Sequence, residues 1–379
     1  MTINGYEIIG EWHICNCGKI AQATKDGKEY FLKKYQGVVA PMNNGRLDAK
    51  TFELIQKQFD DFVARKRALN ARLREASELA PCDEFINGVF YVEVTEKLEG
   101  VLSPTDFMLL APDLLSNDIS AKILLMTLAG SLAKLHSKGI IHGDVTHSNV
   151  MILRNLSGAY VGQLVGFDYS FPVDDIPDEI PASPESCSPE LGKYMFLEDY
   201  SEENKRTITE KSDIFSLGLV FHFYLTGTFP EPVSLTEKLQ QRKDKGREIY
   251  PFLVLNSGCE LRVSPKIANR NYASLISDMI SLNPDDRPTA TEILMRLKGG
   301  VDKSSSEAVT PPPPIGSFAA PWPEHNIAFD INAIKAKGFV SSIQKTIRGI
   351  NGYEFVRSNG TTMFFRVEMI IIFKMATEI

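Results

Sequence analysis

The stretch IIHGDVTHSNV, residues 140–150, decides how the fold of this chain is interpreted. It places Asp144 five residues before Asn149, between a long helical pattern and a short apolar run. A carboxylate and an amide oxygen on one loop suit a hard divalent cation, and the carboxylate can also orient an acceptor hydroxyl. The spacing therefore indicates phosphoryl transfer, and the glycine at position 143 needs an explanation of its own.

Two further residues complete the chemistry that transfer from ATP requires. Asp168, in GFDYS, follows the next predicted strand, where a second carboxylate can bind metal. Lys33, in YFLKKY, lies on an early predicted strand and can bind the donor phosphates. Each residue alone also fits an ordinary structural role, as a loop cap, a turn former or an exposed strand lysine. Their order along the chain favours a site for ATP with Mg²⁺ or Mn²⁺.

The surrounding patterns predict an α+β fold with two lobes. Strand-like segments come first, with Asp26-Gly27 as a hairpin turn, and an amphipathic pattern at residues 48–79 predicts one long helix. We therefore expect a first lobe of sheet plus helix at about residues 1–100 and a mainly helical lobe at about 101–299.

Two apolar helices dominate the predicted second lobe. Residues 119–138 are too apolar for a surface helix and predict a buried one that Gly139 ends. Another apolar helix is expected to begin at Ser212 or Asp213 and to end at Gly227.

The composition changes after residue 299. Residues 300–324 are rich in serine and proline and predict a linker. Residues 325–379 contain a helical pattern, INAIKAKGFVSSIQKTI, followed by two strand-like runs. They predict a small α+β module, which could recruit partners.

Composition also limits the expected partners. The formal net charge of −7 does not favour nucleic acid, because neutralising phosphates requires a basic face. Five cysteines form no even disulfide framework, and no apolar leader follows Met1, so we expect a reducing, cytoplasmic setting. Uninterrupted apolar runs such as MIII fall far short of the roughly 20 residues that span a bilayer, so no membrane helix is expected.

With these motifs the chain resembles the protein kinase superfamily, specifically the eukaryotic-like Ser/Thr kinases of bacteria, over about residues 6–299. HGDVTHSN is similar to the catalytic loop H-R-D-x-x-x-x-N, DYS to D-F-G, and SPE to A-P-E; SDIFSLG and DDRP match later motifs. The resemblance implies that Asp144 is the catalytic base, Asn149 and Asp168 bind metal, and Lys33 binds phosphate. It implies structural roles for His142, Glu190, Asp213 and Arg287.

The resemblance also implies an ATP site and a protein substrate that accepts phosphate on serine or threonine. The implied ATP-binding residues are Gly18, Ile20, Lys33, Glu96, Lys97 and Leu98. His13 and Cys15 stand where the family has the first two glycines of its phosphate loop, which predicts weaker nucleotide binding. Glu53 is the implied partner of Lys33, with Glu75 as the alternative.

Gly143 replaces the arginine of H-R-D, which in the family contacts a phosphorylated activation segment. We therefore predict activity that does not depend on phosphorylation between Asp168 and Glu190, although Ser183, Ser186 and Ser188 offer hydroxyls there. Thr146 stands where Ser/Thr kinases usually have a lysine.

Two alternative functions fit part of the sequence. HGD with asparagine five residues later also occurs in small-molecule phosphotransferases of the aminoglycoside and choline kinase type. The motifs SPE, SDIFSLG and DDRP favour a protein kinase over that alternative. The glycine-poor phosphate loop motivates the second alternative, a pseudokinase that acts as a binding module.

Overall fold

The structure is a computed structural model. It describes residues 1–15, 18–42, 47–98, 101, 118–154, 160–178, 180, 182–299, 339–347, 350–357 and 362–366. The chain divides into two compact units, Met1–Thr310 with Phe373–Ile379, and Pro311–Ile372. The predicted linker, residues 300–324, lies outside the described residues.

A six-stranded antiparallel sheet and one long helix form the N-terminal lobe, with the strand order β1-β2-β3-β4-β6-β5. The elements are β1 Thr2–Ile3, β2 Tyr6–Cys15, β3 Gly18–Lys25, β4 Lys28–Tyr35, α1 Ala49–Ala76, β5 Asp83–Asn87 and β6 Phe90–Glu96. The predicted hairpin turn is confirmed, since Asp26 and Gly27 join β3 to β4 with positive φ angles of 53° and 77°. The Asp48 side chain caps α1 by accepting from the Thr51 amide.

The second lobe is mainly helical and packs around α2 and α5. Its helices are α2 Asp118–Ser137, α3 Pro189–Phe196, α4 Glu202–Thr207, α5 Glu210–Thr226, α6 Glu237–Asp244, α7 Pro251–Asn256, α8 Arg270–Met279 and α9 Ala290–Lys298. Its short strands are β7 Ile140–Ile141, β8 Val150–Arg154, β9 Tyr160–Leu164, β10 Phe171–Pro172, β11 Glu231–Pro232 and β12 Leu261–Arg262. The two-lobed α+β fold is thus confirmed.

Helix α5 begins earlier than the sequence predicts. Thr209, not Ser212 or Asp213, caps its N-terminus, because the Thr209 side chain accepts from the Lys211 amide. This places Asp213 inside the first turn, where its side chain is buried and points to the predicted catalytic loop. The predicted end of the helix, Gly227 in the left-handed conformation, is confirmed.

Helix α2 is, among the described residues, the one helix that is long and apolar enough to cross a bilayer by length and composition. Its leucines 124, 125, 128, 132 and 135 are each at most 1% exposed and belong to the main core cluster. A buried helix at the centre of a lobe passes the same test, and the packing of α2 fits that description. Gly139, with φ +63°, follows its last turn as predicted.

The second unit contains a three-stranded antiparallel sheet, β13 Phe339–Ile347, β14 Ile350–Arg357 and β15 Thr362–Arg366. The helix predicted from INAIKAKGFVSSIQKTI is therefore wrong over residues 339–347. That stretch contains β-branched Val340, Ile343, Thr346 and Ile347, which favour a strand, and a strand partner outweighs the weak helical spacing. The remainder of the pattern, residues 331–338, lies outside the described residues.

Candidate active site

The backbone of the loop that contains Asp144 is hydrogen-bonded to a buried carboxylate on α5. Asp213 accepts hydrogen bonds from the backbone amides of His142, at 2.7 Å, and Gly143, at 3.0 Å. Its Oδ2 atom also lies 3.0 Å from Nε2 of His136. His142 itself is fully buried, with its Nε2 atom 3.0 Å from the carbonyl of Val165. These contacts fix the backbone immediately before Asp144.

The backbone of this loop explains why residue 143 is glycine. Gly143 has φ +76°, a conformation that costs a residue with a side chain about 1–2 kcal/mol. A Cβ atom there would lie 2.6 Å from the carbonyl oxygen of Tyr169 and 3.1 Å from the Phe171 ring. The sequence alone suggests only that this glycine removes the arginine contact with a phosphorylated activation segment. The structure adds that the loop packs against the segment after Asp168 too closely for a side chain.

Asp144 is 5% exposed, and both of its carboxylate oxygens accept hydrogen bonds. Oδ2 accepts from Nδ2 of Asn149, at 2.7 Å, and Oδ1 accepts from the backbone amide of Ser183, at 2.9 Å. The Ser183 contact places the segment around this residue beside Asp144. An acceptor hydroxyl that approaches Asp144 would therefore lie next to this segment.

Asn149 is oriented so that its amide oxygen can meet a cation. Its Nδ2 atom donates to the carboxylate and to the backbone carbonyl of Asp144, and because both are acceptors the nitrogen must face them. The oxygen Oδ1 then lies on the other side, beside Gly166, where a Cβ atom would be 2.7 Å from it. Gly166 has φ +79° and begins the turn that carries Asp168. Glycine at 166 thus leaves space for the Asn149 side chain.

Thr146 holds the turn that ends at Asn149. Its side-chain oxygen accepts from the amides of Ser148, at 3.0 Å, and Asn149, at 3.2 Å, and the residue is fully buried. The position where the resemblance expects a lysine is therefore occupied by a helix cap. The sequence did not reveal this role, although threonine is a favoured N-cap residue.

Lys33 and Asp168 form an ion pair across the two lobes. Nζ of Lys33 lies 2.6 Å from Oδ1 and 2.7 Å from Oδ2 of Asp168, which stands in a short 3₁₀ turn at Phe167–Tyr169. Burial would raise the pKa of Asp168, but the positive charges of Lys33 and Lys66 outweigh burial and hold it below the usual value. The carboxylate is thus kept ionised, the form that binds a divalent cation.

The predicted partner of Lys33, Glu53, does not occupy that position. Its side chain is exposed near the start of α1, and the alternative, Glu75, is paired with Lys138 at 2.6 Å. The inward face of α1 instead presents Lys66, whose Nζ atom lies 3.3 Å from Oε1 of Glu93 on β6. The prediction was wrong because spacing from Lys33 does not define which face of a 28-residue helix is turned inward.

Three buried polar residues were missed by sequence reasoning: Tyr35, Lys66 and Glu93. Each carries a signal that could have identified it. Lys66 interrupts the apolar stripe of α1, and Glu93 lies in the middle of the apolar strand YVEVT. Tyr35 lies two residues after Lys33 and therefore projects to the same face of β4.

The predicted nucleotide residues lie on the sheet and at its end. Ile20 on β3 stands directly opposite Lys33, and Gly18 pairs with Tyr35, where a Cβ atom would lie 2.2 Å from a neighbouring carbonyl. The tip of this hairpin, residues 16–17, lies outside the described residues. The side chains of Glu96 and Lys97 form ion pairs with Lys28, at 2.9 Å, and Glu29, at 2.6 Å.

At this strand end the amide of Lys97 donates to the carbonyl of Glu29 at 2.9 Å. That amide is therefore engaged within the sheet. Backbone groups of Glu96 and Leu98 are the candidates for contact with adenine, as the resemblance implies, and Leu98 also packs against the main core cluster.

A buried ion pair supports the segment that lies over Asp144. Arg287 donates from Nη1 and Nη2 to the two oxygens of Glu190, at 2.7 and 2.9 Å, and Ser212 donates to the same carboxylate at 2.7 Å. Glu190 is 5% and Arg287 1% exposed. The structure thus brings together the two residues that the resemblance pairs, at the start of α3.

Comparison with known proteins identifies the family of this chain. The family model described as protein kinase domain matches residues 91–296. The chain is 27% identical over 175 residues to "eIF-2-alpha kinase GCN2" of Arabidopsis thaliana, which is 45% of this chain and 13% of the relative. It is 24% identical over 180 residues to "Calcium/calmodulin-dependent serine/threonine-protein kinase" of Malus domestica, 47% of this chain and 38% of the relative.

A nematode protein is similar to the same extent. The chain is 25% identical over 182 residues to "Serine/threonine-protein kinase kin-29" of Caenorhabditis elegans, 47% of this chain and 19% of the relative. The chain thus spans less than two fifths of the length of these relatives.

Proposed function

The chain belongs to the protein kinase family, and from that membership we propose that it transfers the γ-phosphate of ATP to serine or threonine hydroxyls of proteins. The observation that carries the proposal is the convergence of four predicted residues, from three separate segments, on one site. Asp144 and Asn149 are joined by a hydrogen bond of 2.7 Å, and Lys33 and Asp168 by an ion pair of 2.6 Å.

The donor atoms of this site fit a divalent cation. Asp168 supplies an ionised carboxylate and Asn149 an amide oxygen turned away from Asp144, a small oxygen set that suits Mg²⁺ or Mn²⁺ shared with ATP phosphates and water. When bound, the cation would neutralise charge on the phosphates. The chain's own groups then have distinct tasks: Lys33 binds the phosphates, and Asp144 orients the acceptor hydroxyl and takes its proton.

Two features support a protein acceptor. The Glu190–Arg287 pair fixes the start of α3, and the Ser183 amide holds the preceding segment beside Asp144, where a protein substrate would have to approach. The relatives from Malus and Caenorhabditis are named serine/threonine-protein kinases. The finer assignment to the bacterial kind stays a prediction, because the relatives named above are from plants and a nematode.

The proposal is tested by following labelled phosphate. The protein is incubated with [γ-³²P]ATP and Mg²⁺ together with a generic protein acceptor, and separately with a mixture of aminoglycosides and choline. We expect label in protein, on serine or threonine. Label only in the small alcohols would instead identify the small-molecule phosphotransferase, and no transfer with intact ATP binding would identify the pseudokinase.

We further propose that activity does not require phosphorylation between Asp168 and Glu190. All four serines of this segment are buried: Ser170, Ser183, Ser186 and Ser188 are each at most 7% exposed. The segment is anchored instead by apolar contacts, since Phe171, Ile180 and Cys187 belong to one buried cluster with residues of α3 and α7. An anchored segment needs no phosphate to order it.

Phosphatase treatment tests this second proposal. The untreated and the phosphatase-treated protein should transfer phosphate at equal rates, with the phosphorylation state of residues 168–190 checked by mass spectrometry. A collapse of activity on dephosphorylation would show that the segment depends on phosphate.

A further inference from the structure

The side chains around Lys33 belong to two neighbouring strands. Lys33 on β4 stands directly opposite Glu93 on β6 in an antiparallel pair, so both side chains project from the same face of the sheet. Tyr35, two residues further along β4, shares that face. Tyr35 and Glu93 are 6% and 4% exposed. This face of the sheet therefore carries a buried acid and a buried phenol beside the phosphate-binding lysine.

The hydroxyl of Tyr35 lies between two carboxylates. It is 2.5 Å from Oε2 of Glu93 and 3.0 Å from Oδ1 of Asp168. A lysine neutralises each acid: Nζ of Lys66 lies 3.3 Å from Oε1 of Glu93, and Lys33 pairs with Asp168. Two carboxylates thus flank one phenol, and each has a lysine on its outer side, in the order Lys66, Glu93, Tyr35, Asp168, Lys33.

This arrangement replaces a contact that protein kinases usually make. In the family the phosphate-binding lysine is held by a glutamate from the helix of the first lobe. The buried residues of α1, a helix that the structure describes from end to end, include no acid and include Lys66. The helix therefore supplies a cation, Lys66, which pairs with Glu93 on the strand next to Lys33, and Lys33 itself pairs with Asp168.

We propose that Tyr35, held by Glu93 and Lys66, is the positioning residue that orients Asp168 for the divalent cation. The inference rests on the proposed function. When ATP phosphates draw Lys33 away from Asp168, the carboxylate loses its ion-pair partner. The single hydroxyl proton of Tyr35 can be donated to only one of the two carboxylates at a time, and it could then turn from Glu93 to Oδ1 of Asp168 and hold that carboxylate for the cation. Glu93, bound by Lys66 and by Asn70 of α1 at 2.9 Å, keeps the phenol within reach of Asp168.

The same contacts link the helix to the metal site. Lys66 and Asn70 both bind Glu93 from α1, so a movement of the helix would change the position of Glu93 and, through Tyr35, of Asp168. The helix would therefore act on the predicted metal ligand, Asp168, through Glu93 and Tyr35. It would not act through a helix acid paired with Lys33.

The test replaces Tyr35 by phenylalanine and measures nucleotide binding rather than turnover. Binding of ADP to the full chain is measured by calorimetry over a series of Mg²⁺ concentrations. Tyr35→Phe keeps the ring contacts with Phe62 and Tyr91 and removes only the hydroxyl. Because a hydrogen bond to a charged group is lost, we expect the Mg²⁺ needed for half-maximal binding to rise about tenfold or more.

Tyr6→Phe is the matched control. Tyr6 is 4% exposed and its hydroxyl also donates to a carboxylate, Asp83 at 2.9 Å, but that carboxylate is not a predicted metal ligand. Both variants lose a hydrogen bond to a carboxylate, so comparable thermal destabilisation is expected. Only Tyr35→Phe should change the Mg²⁺ requirement, a readout that a merely structural role would not affect.

A second pair of variants keeps the inference testable if Tyr35→Phe folds poorly. Glu93→Gln leaves the charge of Lys66 uncompensated beside Asp168 and should also raise the Mg²⁺ requirement. Adding Lys66→Gln to this variant should partly restore the wild-type Mg²⁺ requirement, because the uncompensated lysine charge is removed.

Three outcomes are separable. Equal Mg²⁺ requirements in wild type, Tyr35→Phe and Tyr6→Phe would overturn the positioning role and leave the proposed function intact. Failure of the wild-type protein to bind nucleotide with Mg²⁺ would overturn the proposed function, and this inference with it. A selective shift in Tyr35→Phe supports the positioning role, and phosphate transfer itself is tested by the labelling experiment described above.

Discussion

Replacing Gly143 by alanine tests the geometry of the catalytic loop most sharply. The substitution places a side chain at φ +76°, at a cost of about 1–2 kcal/mol. It also places a Cβ atom 2.6 Å from the Tyr169 carbonyl oxygen, an overpacking for which about 1–3 kcal/mol is typical. We therefore expect a total destabilisation of roughly 2–5 kcal/mol.

Gly88→Ala separates the two contributions. Gly88 has φ +63°, and a Cβ atom there would meet no other atom within 4 Å, so this variant should lose only the conformational part, about 1–2 kcal/mol. Urea unfolding of both variants gives the difference. Phosphate transfer should also fall further in Gly143→Ala, because the displaced Tyr169 is adjacent to Asp168. Equal stability losses in the two variants would refute the close packing of this loop against the Asp168 segment.

Three further predictions concern buried charges. Glu190→Gln should lower the free energy of unfolding by about 3–5 kcal/mol in urea titrations, because the buried Arg287 loses its counter-charge; a loss below about 1 kcal/mol would contradict this. Burial alone would raise the pKa of Asp168, but the nearby lysine charges have the larger combined effect, so the pKa in the folded protein is below its usual value. The ionised form of Asp168 therefore stabilises the fold above about pH 3.9, and this contribution disappears as the pH falls. Asp168→Asn should therefore show a shallower loss of stability in acid, and an unchanged acid profile would argue against the ion pair. Burial lowers the pKa of His222, so the unfolded chain gains a proton more readily and stability should decrease as pH falls through about 6.5. His222→Gln should reduce the change in melting temperature between pH 7 and pH 5. A change equal to that of the wild type would contradict a neutral buried histidine.

The parts of the site that could be predicted are those fixed by short segments. Asp144 and Asn149 share one loop, so their spacing defines their geometry, and the structure joins them by a hydrogen bond. Lys33 and Asp168 lie in different lobes, and the order of the motifs along the sequence was sufficient to predict that they share one site. The hairpin at Asp26-Gly27 followed from turn chemistry alone.

The parts that could not be predicted depend on which face of an element is buried. The partner of Lys33 was sought on α1 by spacing, but the inward face of that helix carries Lys66, which pairs with Glu93 of β6, and Lys33 pairs with Asp168. A strand was likewise missed at Phe339–Ile347, where the sequence suits two periodicities and pairing with β14 decides between them. In both cases the deciding contact joins residues that are distant in sequence.

The central claim is that Asp144 carries phosphoryl transfer in a site that binds ATP independently of it. The most direct test compares wild type with Asp144→Asn for the rate of γ-phosphate transfer to protein at saturating ATP and Mg²⁺, with nucleotide affinity measured in parallel. We expect the rate to fall by roughly 10²- to 10⁴-fold, the usual contribution of a positioned base, with nucleotide affinity essentially unchanged. Transfer at the wild-type rate in Asp144→Asn would contradict the assignment.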